Sequence, residues 1–444
     1  MTIAPIKALR ASRSSLGLPT ADEVVAATPA TRDRALDVIR IVSLVGVVLG
    51  HTIMAVSAID NGVLLWGNLL NGRPVFQALT WVFQIMPLFF FAGVAASVGS
   101  WKPGTSWGSW LMHRCTRLYR PVFYYLGFWA VALLILRQIL PLHVYEPVAG
   151  VSTQLLWFLG AYVLVLAAVP LLARITTTRS MFTALAGIYL GIAAIDVLRL
   201  GLDAPKGIGY VNFVVWLLPA VLGVGYRRQL ITQKAALMLA AAIFAVNIAL
   251  VTFGPYTISL VGVAGQKVPN MIPPSLVLAG HAIVLSALAI AAMPAINRWA
   301  QRPRVWWAVA IGNSGAMTLY LWHMPALLGM HLVFDFLGFP RYNTAAPDFV
   351  VLSVLQVMTM AVLVTGLFLA LRPLENNPLP GWDGGYVAYP GMRSTAVGIA
   401  LMTAGGFTLA SVVWGLKGFG LTCWVVALAG LITARALASD KKGV

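Results

Sequence analysis

The sequence predicts an all-α membrane protein, a polytopic bundle of transmembrane helices with both termini in the cytoplasm. Three observations lead to this prediction. Only 10% of the 444 residues are charged, whereas soluble domains carry about 25%. The mean hydropathy is +0.86, and apolar segments long enough to cross a bilayer as helices recur along the whole chain. We therefore expect a multi-pass protein of a cell membrane.

Twelve apolar segments are predicted to span the membrane. They lie near residues 36–58, 75–98, 121–140, 154–173, 181–198, 210–226, 235–253, 275–293, 308–334, 349–371, 396–416 and 419–437. The first ten form a predicted ten-helix domain over 35–372, and a loop rich in Pro and Gly over 373–395 precedes an extra helix pair over 396–438. Residues 1–34 lack an apolar core, which predicts a disordered cytoplasmic tail.

The positive charges are unevenly distributed over the two sides of this topology. The net charge is +17, and with the N-terminus inside, 22 of the 30 Lys and Arg residues are cytoplasmic while seven lie on the opposite side. This bias follows the positive-inside rule, so it reports membrane topology and argues against nucleic acid as a partner. The two cysteines, Cys115 and Cys423, fall on opposite sides, and no spacing of metal ligands exists. We expect no metal.

The first span carries three ionisable residues on one face. Arg40 and His51 are eleven residues apart, which on a helix places them on one stripe about 16 Å apart along the axis, and Asp37 falls on the same stripe. Such residues are costly in hydrocarbon, so they should face a polar cavity inside the bundle. The alternatives are an interfacial ion pair for Asp37 and Arg40, and a structural hydrogen bond for His51.

Three arginines recur every three residues just before the third span. On a helix, Arg114, Arg117 and Arg120 form a tilted stripe. A guanidinium group is planar and always charged, which suits it to the phosphates of a cytoplasmic ligand. The alternative is ordinary positive-inside anchoring or contact with anionic membrane lipids.

The fourth and ninth spans carry the remaining candidate residues. Trp157 lies at the predicted outer end of the fourth span, where aromatic belts are expected. The ninth span is the most polar after the first and contains Tyr320 and His323. His323 precedes Pro325 by two residues, where a kink and a freed carbonyl can widen a cavity. A structural hydrogen bond of His323 is an equally good interpretation.

Taken together, these residues resemble the acyltransferase 3 family of integral membrane acyltransferases over residues 32 to about 372. The ordered points of match are Asp37-Val-Ile-Arg40 with His51, Pro87-Leu-Phe-Phe-Phe-Ala-Gly93, Arg114-Cys-Thr-Arg117, Leu156-Trp-Phe-Leu159 and Leu319-Tyr-Leu-Trp-His323. The resemblance implies catalytic roles for His51 and Arg40 and donor binding by Arg114 and Arg117. With it we expect the membrane to be the cytoplasmic membrane of a bacterium. Arg117-Leu-Tyr-Arg120 is a second overlapping pair, so Arg120 is also a candidate for acyl-CoA binding.

The resemblance implies transfer of an acyl group from cytoplasmic acyl-CoA, with acetyl-CoA expected, to a hydroxyl of a sugar, a lipid-linked acceptor or a cell-envelope glycan. His51 is the candidate general base, because a neutral imidazole suits removal of a hydroxyl proton. An acyl-His51 intermediate is equally open. Asp37 and Arg40 are grouped with His51 as catalytic residues on the donor path, where Arg40 favours the pantetheine or phosphate end and Asp37 holds Arg40. His323, Tyr320 and Trp157 are the candidates for binding the acceptor substrate. The alternative is a transporter or flippase of a glycan or lipid precursor that uses the same polar first helix.

Overall fold

The protein is almost entirely helical. The structure, a computed structural model, describes residues 18–61, 63–71, 74–202, 204–263, 268–387, 389–416 and 418–440. Its helices are α1 Ala21–Ala26, α2 Arg34–Met54, α3 Pro74–Phe83, α4 Pro87–Val98, α5 Trp107–Ile139, α6 Leu142–Gln154, α7 Leu156–Ala167, α8 Val169–Leu172, α9 Thr178–Gly201, α10 Leu217–Arg227, α11 Gln233–Phe253, α12 Leu276–Ala300, α13 Pro303–Asn313, α14 Ala316–Phe336, α15 Phe349–Asn376, α16 Met392–Trp414 and α17 Phe419–Leu437. The short strands are β1 Ala55–Asp60, β2 Val63–Asn68, β3 Gly385–Tyr386 and β4 Ser439–Asp440.

In the described residues, twelve helical segments, some of them broken, are long and apolar enough to cross a membrane, as the hydropathy predicts. The second span consists of α3 and α4, which are separated just before Pro87. The fourth span begins earlier than predicted, because α6 precedes the predicted start at residue 154 and leads directly into α7. The polytopic helical fold class is therefore confirmed.

The predicted first span, 36–58, is wrong at its C-terminal end. Helix α2 stops at Met54, and the next six residues form β1, which pairs antiparallel with β2 from Ala55 opposite Asn68 to Asp60 opposite Val63. Asn61, in the turn, has φ 48°, a left-handed conformation that Asn tolerates better than most residues. The strand contains Val56 and Ile59, which are apolar enough to be mistaken for a last helical turn.

The predicted third span, 121–140, begins too late. Helix α5 starts 14 residues earlier at Trp107 and is 33 residues long. The Ser106 side chain accepts a hydrogen bond from the Ser109 backbone N–H and caps the start. Pro121 lies inside this helix, so the arginine stripe and the membrane-spanning part belong to one continuous element.

The predicted ninth span, 308–334, is two helices, α13 and α14, separated at Ser314 and Gly315. A Cβ atom on Gly315 would lie 2.6 Å from the Phe368 ring, so only glycine allows α15 to approach this closely. The break gives α14 its own N-terminus ahead of Tyr320 and His323.

By its internal contacts, the chain divides into two compact units. The first comprises residues 1–45, 77–101 and 171–314. Within it, α10 packs on α4 and α12, and α11 packs on α12. A Cβ atom on Gly223 would lie 2.5 Å from the Phe91 carbonyl oxygen, which shows how closely α10 and α4 approach.

Within the predicted tail, 1–34, residues 21–26 form the short helix α1. Thr20 and Glu23 form a capping box that starts α1, and α1 packs on α13 in the first unit. The Trp306 indole N–H donates to Thr28 Oγ1 at 2.7 Å. These contacts place the segment against α13, and residues 1–17 of the predicted tail lie outside the described residues.

The second unit comprises residues 46–76, 102–170 and 315–444. In it, α14 packs on α15 and α5, and α16 packs on α5, α7 and α17. A Cβ atom on Gly160 of α7 would lie 2.5 Å from the Gly405 carbonyl oxygen of α16. Such a backbone approach is the usual way in which small residues bring membrane helices together. These contacts integrate the last helix pair, predicted as an addition to a ten-helix domain, into the second unit.

Candidate active site

Two histidines from distant parts of the chain meet in the second unit. His51 lies in the last turn of α2, and His323 lies on α14. His51 Nδ1 is 2.9 Å from His323 Nε2. The two rings are within 12° of parallel with centroids 5.2 Å apart, as expected for a hydrogen bond in the ring plane. His323 is fully buried and His51 is partly exposed.

The hydrogen bonds of His323 fix the tautomers of the pair. His323 Nδ1 is 2.7 Å from the backbone oxygen of Tyr320. A carbonyl only accepts, so Nδ1 carries the hydrogen and Nε2 of the neutral ring must accept. The Nδ1–H of His51 therefore donates to His323, and His51 Nε2 keeps its lone pair. This arrangement presents one unprotonated imidazole nitrogen whose partner ring can stabilise a positive charge on His51.

Tyr320 contacts both His323 and the neighbouring helices. Its backbone oxygen is the acceptor for His323 Nδ1. Its hydroxyl donates to the Leu155 backbone oxygen at 2.7 Å, at the junction of α6 and α7. Its ring lies 5.2 Å from the Phe158 ring, and the Trp157 ring is 6.2 Å from Phe158. The structure thus links these two predicted acceptor-side residues to Phe158 and gives the Tyr320 hydroxyl a protein partner.

The end of α2 is held by two residues that the sequence analysis did not single out. Gln356 Nε2 donates to the Thr52 backbone oxygen at 2.8 Å. Arg341 donates to the backbone oxygens of Ile53 and Ala55, the second at 2.7 Å. Burial lowers the pKa of Arg341 to about 10, so the guanidinium stays charged at neutral pH. A positive charge at a helix C-terminus is favourable, and both contacts fix the turn that carries His51.

The three predicted donor-binding arginines lie on α5 in different environments. Arg120 is buried and forms an ion pair with Asp383, while its Nη1 donates to the Glu375 backbone oxygen at 2.8 Å. The Arg114 guanidinium lies 3.6 Å from the centroid of the Trp110 ring. Arg117 is exposed, and its charge acts on the Glu375 carboxylate. All three nitrogens of Arg120 are already bonded to the protein.

The start of α14 is capped by a carboxylate from α15. Glu375 Oε2 accepts from the Thr318 backbone N–H at 2.8 Å and from the Thr318 hydroxyl at 2.9 Å. A negative charge at a helix N-terminus stabilises the helix. Glu375 thereby anchors the helix that carries His323, five residues after Thr318, and also lies beside Arg117.

Asp37 and Arg40 lie in the first unit. The main partner of Asp37 is Arg32, which the sequence analysis counted only among the cytoplasmic positive charges. Arg32 Nε is 2.6 Å from Asp37 Oδ2 and Arg32 Nη2 is 2.8 Å from Oδ1, a bidentate pair. Arg40 Nη1 is 3.8 Å from Asp37 Oδ1. Asn313 donates to the Asp37 backbone oxygen at 2.9 Å. Asp37 is therefore held mainly by Arg32, and Arg40 remains partly exposed.

Comparison with known proteins identifies the family. The family model described as "Acyltransferase domain", that of the acyltransferase 3 family, matches residues 33–372. Neither a curated protein nor a solved structure matches the chain. The match covers most of the chain and includes both histidines of the pair, the three arginines of α5, Asp37 and Arg40, but not Arg32. The chain belongs to the acyltransferase 3 family and is a multi-pass membrane acyltransferase.

Proposed function

We propose that this acyltransferase moves an acyl group, acetyl or another short acyl group, from cytoplasmic acyl-CoA to a hydroxyl of a sugar, glycolipid or cell-envelope glycan. The observation that carries the proposal is the lone pair left on His51 Nε2 by its bond to His323. The family match supports acyl transfer in general. It gives no support to the alternative of a transporter or flippase.

In the proposed reaction His51 Nε2 removes the proton of the acceptor hydroxyl while the hydroxyl oxygen attacks the thioester carbonyl carbon. The carbon–sulfur bond then breaks, and the imidazolium returns its proton to the leaving sulfur. The products are an ester and free coenzyme A, so protons and charge balance. During the step the Nδ1–H of His51 donates to His323, which stabilises the imidazolium and keeps the ring oriented.

Donor binding is proposed for Arg114 and Arg117, whose guanidinium groups suit the phosphates of coenzyme A. Arg120 is assigned to holding Asp383 and the end of α15, because its nitrogens already bind protein acceptors. Arg40 and Asp37 stay predicted donor-path residues. Arg32 joins them, because it provides the closer of the two ion pairs with Asp37.

The proposal is tested with membranes that contain the full-length protein and with acetyl-CoA labelled in the acetyl group. We expect release of free coenzyme A together with label in a product that mild alkali cleaves, as an ester requires. A labelled His51 peptide after incubation without acceptor would instead establish the acyl-His51 intermediate. If neither acetyl-CoA nor longer acyl-CoA donors label any ester, the proposed function is wrong.

Replacing Arg117 by alanine is expected to raise the KM for acetyl-CoA about tenfold or more and to change kcat little. A charge-assisted hydrogen bond to a phosphate contributes about 1.5–3 kcal/mol, and this contact is present before the reaction and throughout it. Initial rates at varied acetyl-CoA concentration measure the effect. Arg137→Ala removes an exposed arginine from the same helix and serves as the control. An unchanged KM in Arg117→Ala would show that Arg117 does not bind the donor.

Replacing Arg341 by methionine is expected to lower kcat about 10- to 100-fold without changing the KM for acetyl-CoA. The substitution leaves the Ile53 and Ala55 backbone oxygens without their donor and loosens the turn that carries His51. Misplacement of a catalytic group by about 1 Å has effects of this size. Arg341→Lys should retain part of kcat because it keeps the charge. Equal kcat values in Arg341→Met and wild type would refute the positioning role.

A further inference from the structure

A second polar cluster lies in the same unit, between α14 and the hairpin of β1 and β2. We propose that Asp335, Ser57 and Trp66 form a subsite for the hydroxyl groups of a carbohydrate acceptor. The proposal rests on the proposed function, which it deepens by naming the part of the molecule that recognises the acceptor. The cluster is separate from Tyr320 and Trp157, the residues that the sequence analysis assigned to the acceptor.

The first observation is a carboxylate whose hydrogen-bonding capacity is mostly unused. Both side-chain oxygens of Asp335 are shielded from solvent, and among the described residues the Ser57 side chain is the donor that interacts with them. Buried polar groups in proteins are nearly always hydrogen-bonded, so an exception calls for a missing partner. A carboxylate only accepts, so the missing partner must donate, as the hydroxyl groups of a carbohydrate do.

The second observation is the fixed direction of the hydrogen bonds around His331. Gln356 Nε2 lies 2.8 Å from the Thr52 backbone oxygen and 2.8 Å from His331 Nε2, so the amide donates to both. His331 Nε2 therefore accepts, and its Nδ1–H donates to Ser57 Oγ at 2.7 Å. The oxygen of Ser57 is thus used as an acceptor, and its own hydrogen remains to be donated.

Ser57 lies beside Asp335, and its side chain acts as a hydrogen-bond donor toward the carboxylate. One hydroxyl hydrogen cannot satisfy two carboxylate oxygens, which together accept up to four hydrogen bonds. A ligand hydroxyl that donates to Asp335 would complete the set. A site with such fixed polar groups favours a ligand whose hydroxyl groups can hydrogen-bond to them and rejects one that lacks these hydroxyl groups.

The third observation is an aromatic side chain on the same face of the hairpin. Trp66 is directly opposite Ser57 in the register of β1 and β2, so the two side chains point to the same side. The Trp66 ring stands edge-on to His331 at a centroid distance of 5.2 Å and is partly exposed. An aromatic face beside a few directed polar groups is the usual make-up of a small-molecule site, and the ring offers a surface for the C–H face of a sugar.

The cluster is joined to the turn that carries His51. The Gln356 amide that fixes His331 also holds the backbone oxygen of Thr52, the residue after His51. Gln356 therefore holds both the proposed acceptor subsite and the turn that carries His51. An acceptor with several hydroxyl groups can place one near Asp335 while another is presented for reaction.

The test measures binding, independently of catalysis, by thermal unfolding of the full-length protein in a detergent without a sugar headgroup. The probes are methyl α-glucopyranoside, methyl α-mannopyranoside, methyl α-galactopyranoside and myo-inositol, with tetrahydropyran as the ring without hydroxyl groups. A ligand that binds only the folded state raises the Tm with concentration. We expect at least one probe to raise the Tm of the wild type and of His51→Ala, and tetrahydropyran to raise neither.

In Asp335→Asn and Trp66→Ala the probe concentration for half of the Tm shift should rise at least tenfold. Asp348→Asn makes the same chemical change at an exposed position before α15 and should behave like wild type. Without any probe, the Tm of Asp335→Asn should equal or exceed that of wild type, because an unsatisfied charge is removed. The subsite is refuted if no probe stabilises the wild type, or if Asp335→Asn keeps the full response. Failure of ester formation from acyl-CoA would instead refute the proposed function and leave these shifts unchanged.

Discussion

Replacing His51 by alanine is expected to lower acyl transfer by about 100- to 10,000-fold, the usual contribution of a general base. The substitution removes the only nitrogen of the histidine pair that the hydrogen bonds leave unprotonated and available. It should act on kcat and leave the KM for acetyl-CoA nearly unchanged, because the proposed donor contacts lie on α5. The measurement is the rate of labelled ester formation in membranes with equal amounts of each protein.

The histidine prediction has an internal control. His143 is an exposed histidine on α6, and His143→Ala should keep wild-type activity. The activity of His323→Ala should lie between those of His51→Ala and His143→Ala. This substitution leaves the His51 nitrogen in place but removes the acceptor that fixes the tautomer of His51. Full transfer by His51→Ala would remove the catalytic assignment. Equal activity of His323→Ala and wild type would show that the bond to His323 does not orient the His51 ring for catalysis.

Replacing Arg120 by alanine is expected to destabilise the folded protein by about 3–5 kcal/mol, the usual effect of removing one partner of a buried ion pair. The Arg120 side chain is 10% exposed and that of Asp383 is 21% exposed, so water screens the pair weakly. The variant loses the bonds to Asp383 and to the Glu375 backbone. Its Tm in detergent should fall, and so should the amount of protein in the membrane.

The comparison with Arg117 separates the two roles assigned to the arginine stripe. Arg117→Ala should keep its Tm and lose donor affinity, whereas the fraction of Arg120→Ala that folds should keep its affinity for acetyl-CoA. Combining Arg120→Met with Asp383→Leu should recover much of the stability, because no uncompensated charge remains. A normal Tm together with a raised KM in Arg120→Ala would return Arg120 to donor binding.

Hydropathy predicted the number of candidate membrane spans correctly but misplaced several of their ends. Apolar composition reports burial in lipid and says nothing about local backbone geometry. Residues 55–60 are as apolar as a helical turn but form β1, whereas Arg114 and Arg117 lower the hydropathy of a segment that is nevertheless helical from Trp107. In both places tertiary contacts decided the conformation.

The candidate residues could be found from the sequence, but not their partners. The spacing along one helix pointed to His51, and the polarity of the ninth span pointed to His323. Their bond joins positions 272 residues apart, which no local pattern encodes. Arg341 and Gln356 carried no recognisable signal, because a loop arginine is read as a topological charge and a lone glutamine in an apolar span as an isolated polar residue.

The close approach of Gly160 to Gly405 has a practical consequence for anyone who wishes to shorten this protein. The region of homology stops at residue 372, yet α16 is seated against the backbone of α7, and Asp383 neutralises an arginine of α5. A chain that ends at residue 372 would lack α16, which packs against Gly160 of α7. It would also lack Asp383, so the buried Arg120 would lose its ion-pair partner. We therefore expect a chain that ends at residue 372 to be less stable than the full-length protein.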